Sequence, residues 1–106
     1  MNTTPEFDSA LVSWLSVVEG ETKAYFARSF PSLSVPTFTL ETGQRYIRVV
    51  VSRGGDSGRS VHSFIDKTNG DILKAASWKA PAKHARGNIF SDIQGLDGKG
   101  SIAYLR

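Results

Sequence analysis

The chain has 106 residues, 40% of them hydrophobic and 22% charged, with no cysteine and a net charge of +3. That length and composition suit a single folded domain with one core, and the lack of cysteine excludes a disulfide framework, a thiolate metal site and a cysteine nucleophile. No apolar run approaches the roughly 18 residues of a membrane span, and the opening MNTTPEF lacks the basic-then-apolar layout of a signal peptide, so a cytoplasmic location is expected.

The first predicted element is an amphipathic helix. Thr4 is a capping residue, Pro5 suits the first helical position, and Glu6 meets the positive end of the dipole. Phe7, Leu11, Trp14, Leu15, Val18, Thr22, Tyr25 and Phe26 then recur at helical spacing, which makes Trp14 a core residue rather than a ligand platform. Gly20 is expected to kink or split the helix, and Pro31 to end it.

SLSVPTFTLETG has no helical period and reads as a loop leading into a short strand at 37–40. RYIRVVVSR alternates, with Ile47, Val49 and Val51 on one side and Tyr46, Arg48 and Val50 on the other, so it is a strand with one buried face. RGGDSGR is an exposed glycine-rich connection between Arg53 and Arg59. SVHSFIDK and DILKAASW are two further strands joined at KTNG, a hairpin turn in which Gly70 supplies the left-handed residue and Asp66 and Asp71 flank the geometry. These three strands predict an antiparallel meander.

Beyond Trp78 the pattern changes. Pro81 opens and Gly87-Asn88 closes a predicted short helix over 82–86, which puts Lys79, Lys83 and Arg86 on one side as a basic stripe. Ile89, Phe90 and Ile93 dock this segment on the core, SDIQGLDGKG is a loop, and SIAYLR is a final strand at a sheet edge. The expected class is therefore α+β: an N-terminal amphipathic helix on a three- to four-stranded antiparallel sheet, with a short basic C-terminal helix.

Charge is distributed unevenly along this framework. Residues 1–41 carry a net −3 and residues 42–90 a net +6. The stretch KAASWKAPAKHARGNIF has no acid and surrounds Trp78 with Lys74, Lys79, Lys83, His84 and Arg86. Cations held on one surface attract a polyanion, and an exposed aromatic ring offers a stacking platform to unpaired bases, so Arg53, Arg59, Lys74, Trp78, Lys79, Lys83 and Arg86 form the candidate nucleic-acid site. The competing reading has Trp78 closing the end of the core and the lysines merely solvated.

Other chemistries have less to draw on. His62 and His84 are the only imidazoles, no G-x-S-x-G elbow is present, and neither glycine loop has the phosphate-cradling spacing that ends in Gly-Lys-Ser/Thr. His62 reads as a cross-strand packing residue. No enzyme activity, metal or cofactor is expected.

The order helix, three antiparallel strands, helix resembles in layout the double-stranded RNA-binding domain, whose last helix opens with lysines as KAPAK does here. Gly87 ends the predicted helix too early for that fold, and the loop and strand after it have no counterpart there. A closer resemblance covers residues 46–106: RYIRVV, SRGG, SVHSFIDKTNGDILKAASWKAPAKHARGNIF and AYLR look like a family of small uncharacterised proteins of tailed bacteriophages. That resemblance implies a phage accessory protein in the host cytoplasm and brings no catalytic residues. The expected partners are DNA or RNA bound without sequence preference, or alternatively a host or phage protein, or a second copy docked at an open sheet edge.

Overall fold

The computed structural model describes residues 3–53, 58–92 and 94–103. Helix α1 spans Pro5–Ser29. Thr4 caps it by accepting a hydrogen bond from the Phe7 amide at 3.1 Å, Glu6 and Asp8 lie in its first turn, Arg28 lies in its last, and Phe30 closes it just before Pro31. Gly20 does not split it. That glycine faces solvent, while Val18 and Thr22 on either side are buried, so packing of the flanking turns outweighs the roughly 1 kcal/mol a helical glycine costs.

Five strands follow: β1 Thr37–Thr42, β2 Tyr46–Ser52, β3 Arg59–Asp66, β4 Asp71–Ala75 and β5 Pro81–Asn88. They form one antiparallel meander in the order β1-β2-β3-β4-β5. The α+β class and the leading helix match expectation. The sheet has five strands rather than three or four, and the basic C-terminal helix does not exist: residues 81–88 are strand β5. A five-residue helix made of alanine, lysine, histidine and arginine has no apolar stripe to bury and is too short to stand alone. As a strand the same backbone hydrogen-bonds to the edge of β4, and a proline is tolerated as the first residue of an edge strand.

The KTNG hairpin is as expected. Gly70 has φ 82° and donates to the Asp66 carbonyl at 2.8 Å. Asn88 bonds back to this turn through Asn69 and Asp71, and the Ile89 amide donates to the Gly70 carbonyl, so the residues read as a helix stop instead clamp β5 to the hairpin.

One face of the sheet packs on α1. Phe7, Leu11, Trp14 and Val18 of the helix meet Ile47, Val49, Ile65 and Ile72 of the strands, with Ile89 and Ile102 closing the cluster. Each such side chain, fully buried, contributes about 1.5–3 kcal/mol. Trp14 is 1% exposed, and its indole N–H donates to the Gln94 carbonyl at 3.0 Å. The expected terminal strand reduces to an isolated bridge of Ile102 with Leu96, and residues 104–106 lie outside the described residues, as does Ile93. Phe90 touches the core by an edge contact with Phe7 and is largely exposed.

His62 explains how the tail is fixed. The β2–β3 register shifts at Val49/Val50, which leaves His62 as the extra residue of a bulge. Its ring sits against Trp14 and Phe38, Nε2 bonds to the Gly100 carbonyl at 2.6 Å, and Nδ1 bonds to Ser63 Oγ at 2.9 Å. Desolvation pushes its pKa below the ordinary imidazole value, against the weaker opposing pull of the Gly100 carbonyl and the Asp97 charge.

Candidate functional site

The sheet face turned away from α1 carries its own apolar patch. Alternation along β2 and the register with β3 and β4 put Val50, Phe64 and Leu73 on this side, and all three are buried although no helix covers them. Side chains cover them instead. Tyr46 packs on Phe64 with ring centroids 5.9 Å apart, and the Arg48 guanidinium lies 5.9 Å from the Phe64 ring and 4.9 Å from the Trp78 ring. Arg59 approaches the same indole at 5.6 Å. Two guanidiniums on one tryptophan are a strong cation–π arrangement.

Trp78 is delivered to this face by the β4–β5 turn, where the Ala76 and Ser77 amides both donate to the Ala80 carbonyl. Arg48 Nε donates to the Trp78 carbonyl at 2.9 Å and fixes the turn from below. The residue stays 41% exposed. Trp78 thus lies against the Arg48 and Arg59 guanidiniums on the outer face, outside the core cluster, and still offers surface to solvent.

A single carboxylate ties the group together. Glu41 of β1 accepts from Arg48 at 3.0 Å and from Arg59 at 2.5 Å. Those hydrogen bonds, Arg59 first, hold the Glu41 carboxyl below its usual range. Beside it, Arg45 pairs with the buried Asp66 at 3.1 Å. Burial alone would raise the Asp66 pKa, but the bonds from the Thr68 hydroxyl and amide and from Arg45 outweigh it, so the net shift is downward. A shallow groove of about 220 Å³ runs past these residues and is lined by Glu41, Arg45, Arg48 and Lys79 among others. Arg45, Arg48, Arg59 and Lys79 against Glu41 and Asp66 leave two positive charges in excess.

The seven residues singled out in the sequence do not share one surface. Arg59, Trp78 and Lys79 come together on the outer face, and Lys83 is exposed on the edge strand that leaves the same turn. Arg53 lies on the helix side of the sheet, in a groove with His62, and it also lines, together with Lys74 and Asp97, a second groove that adjoins the first. Arg86 fills a second bulge, in the β4–β5 ladder, and donates to the Ala103 carbonyl at 2.9 Å, which makes it a fastening for the tail. The stripe of Lys79, Lys83 and Arg86 depended on a helical period that β5 does not have.

Arg48 and Glu41 are the members the sequence reading missed. The signal for Arg48 lies in RYIRVVVSR, where a cation between Tyr46 and Val50 occupies the non-core side of a central strand. Among the described residues no group of three or more His, Asp or Glu side chains is gathered to hold a metal, and no helix is long and apolar enough to cross a membrane.

The model of DUF7717, described as a family of unknown function, matches residues 10–105. No curated protein and no solved structure matches the chain.

Proposed function

Since the chain belongs to DUF7717, a family whose function is unknown, we propose a role from its surface: it binds nucleic acid, largely without sequence preference, on the outer face of the sheet. The observation that carries this reading is the half-exposed Trp78 flanked by Arg48, Arg59 and Lys79. A base stacked on such a ring gains roughly 1–3 kcal/mol, and the adjoining cations take the phosphates on either side. Lys83 extends the cationic rim along β5. Arg53, Lys74 and Arg86 have no part in it. With the resemblance to phage proteins, the reading is of an accessory protein acting in the cytoplasm of an infected bacterium.

Anisotropy of labelled single-stranded and duplex oligonucleotides, titrated at two salt concentrations, tests it. Three phosphate contacts on a single strand give a slope of log affinity against log salt near −2, and Lys79→Ala should shrink that slope by about 0.7. Absence of binding at the lower salt refutes the reading.

A second reading is protein docking at the sheet edge, favoured by β1. This edge strand pairs with β2 without a bulge and contains no proline or lysine, whereas β5 at the other edge carries Pro81, Lys83 and two register shifts. Sedimentation of the chain with and without Leu40→Lys checks it: a dimer lost on substitution supports strand pairing, and a monomer throughout removes self-assembly.

A further inference from the structure

On the helix side of the sheet, away from Trp78, a groove of about 730 Å³ opens between the end of α1, the segment leading into β1, and the Gly100 loop. Its volume lies within the range of small-molecule sites. Much of its lining is aromatic: Tyr25 and Phe26 pack against Phe30 at 5.5 and 5.3 Å between ring centroids, and Phe38, edge-on to His62, lines it as well. Leu33, 58% exposed, lies at the mouth. Such a concentration of apolar surface in a concave site is unusual for a side with nothing docked on it.

The polar lining is one-sided. Arg53 and Lys99 are the charged residues of the groove, and no acidic side chain lines it among the described residues. Neither cation is in a salt bridge among the described residues: Arg53 makes a long contact of 3.4 Å to Ser60 Oγ, and Lys99 rests 5.5 Å from the Tyr25 ring centre. Elsewhere the molecule behaves differently, since Arg45, Arg48 and Arg59 each have a carboxylate. His62 also lines the groove; burial pushes its pKa below the ordinary imidazole value, and its Nε2 is committed to the Gly100 carbonyl.

We infer that this groove binds a small amphiphilic anion, with an aromatic or bulky apolar body against Phe30, Phe38 and Leu33 and a carboxylate or sulfonate held at the rim by Arg53 and Lys99. The two cations and the absence of acid select an anion over a cation or a neutral ligand, and the aromatic lining selects an apolar body over a bare inorganic ion. The inference is independent of nucleic-acid binding, because the groove and Trp78 lie on opposite faces of the sheet.

Titration with anilinonaphthalene sulfonate, and with its uncharged analogue phenylnaphthylamine, tests it on the full chain. One sulfonate should bind per chain, with amide shifts in an NMR spectrum at Phe38, His62 and Gly100 and none at Trp78. Arg53→Gln with Lys99→Gln should weaken the sulfonate about tenfold, the loss of about 1.4 kcal/mol expected when a charge-assisted contact is removed, and leave the uncharged analogue unaffected. Leu33→Asp, an exposed position that the fold tolerates, should weaken both probes. Sulfonate binding indifferent to the double substitution, shifts mapping to the outer face, or no binding at all overturns the inference. A dimer that Leu33→Asp converts to monomer, without probe binding, overturns it too and makes the groove a contact between copies.

Discussion

Gly100→Ala should be among the most damaging single substitutions in the chain, and Gly98 provides its internal control. The two glycines share a left-handed backbone, with φ of 88° and 86°. A methyl group on Gly98 would meet nothing within 4 Å, whereas on Gly100 it would lie 2.0 Å from Thr22 Oγ1 and 3.0 Å from the Thr22 Cβ and backbone nitrogen. Gly98→Ala therefore reports conformational strain alone, about 1–2 kcal/mol. Gly100→Ala adds an overpacking term, typically 1–3 kcal/mol, for a total of about 2–5 kcal/mol.

Relief is hard to find at this point. Thr22 is buried and its hydroxyl donates to the Val18 carbonyl at 2.8 Å, so the side chain cannot turn aside without losing that bond. The backbone nitrogen is part of α1. The loop cannot lift either, because the Gly100 amide donates to Glu21 and its carbonyl accepts from His62. Against a total stability of about 5–15 kcal/mol, the loss is readily measured. Urea unfolding followed by circular dichroism should place Gly98→Ala moderately below the parent and Gly100→Ala further below it, with an unchanged slope. Thr22→Ala in the Gly100→Ala background should recover part of the loss, with a coupling of about 1 kcal/mol, since the hydroxyl goes and the Cβ stays. Equal destabilisation by the two glycine substitutions would refute the packing argument.

Three further outcomes follow from the same geometry. Glu41→Gln removes the carboxylate shared by Arg48 and Arg59 and should tighten oligonucleotide binding several-fold at low salt; weaker binding would mean that the carboxylate positions the guanidiniums rather than masking them. His62 is held below its ordinary pKa of 6.5, so its contribution to stability is complete above that value and declines as the pH falls below it, where the unfolded chain takes up the proton first; the urea midpoint should drop between about pH 7 and 5, and His62→Gln should flatten that drop. Iodide should quench Trp78 and spare Trp14, so that Trp78→Phe leaves an emission insensitive to quencher; residual quenching in that variant would contradict the burial of Trp14.

How much of this could be read from the sequence depends on whether the deciding interaction was local. The helix was legible to its ends because a capping threonine, a first-turn proline and a regular apolar stripe act within a few residues of one another, and the KTNG turn was legible because Gly70 and the Asp66 and Asn69 side chains act within the turn itself. Residues 81–88 were not, because alanine, lysine and arginine are good helix formers and what overrides them is the open edge of β4, a partner that exists only once the sheet has formed. That one error propagated to the site. With a helical period, Lys79, Lys83 and Arg86 fall on one side; with a strand and its bulge, Arg86 turns to the tail carbonyl of Ala103 and Lys79 stays with the turn. The same step explains why Arg48 was passed over: its role comes from Trp78, thirty residues away, swinging over the face on which Arg48 stands. A cationic box in a sequence therefore says that charge is present, and only the pairing of strands decides which of its members share a surface.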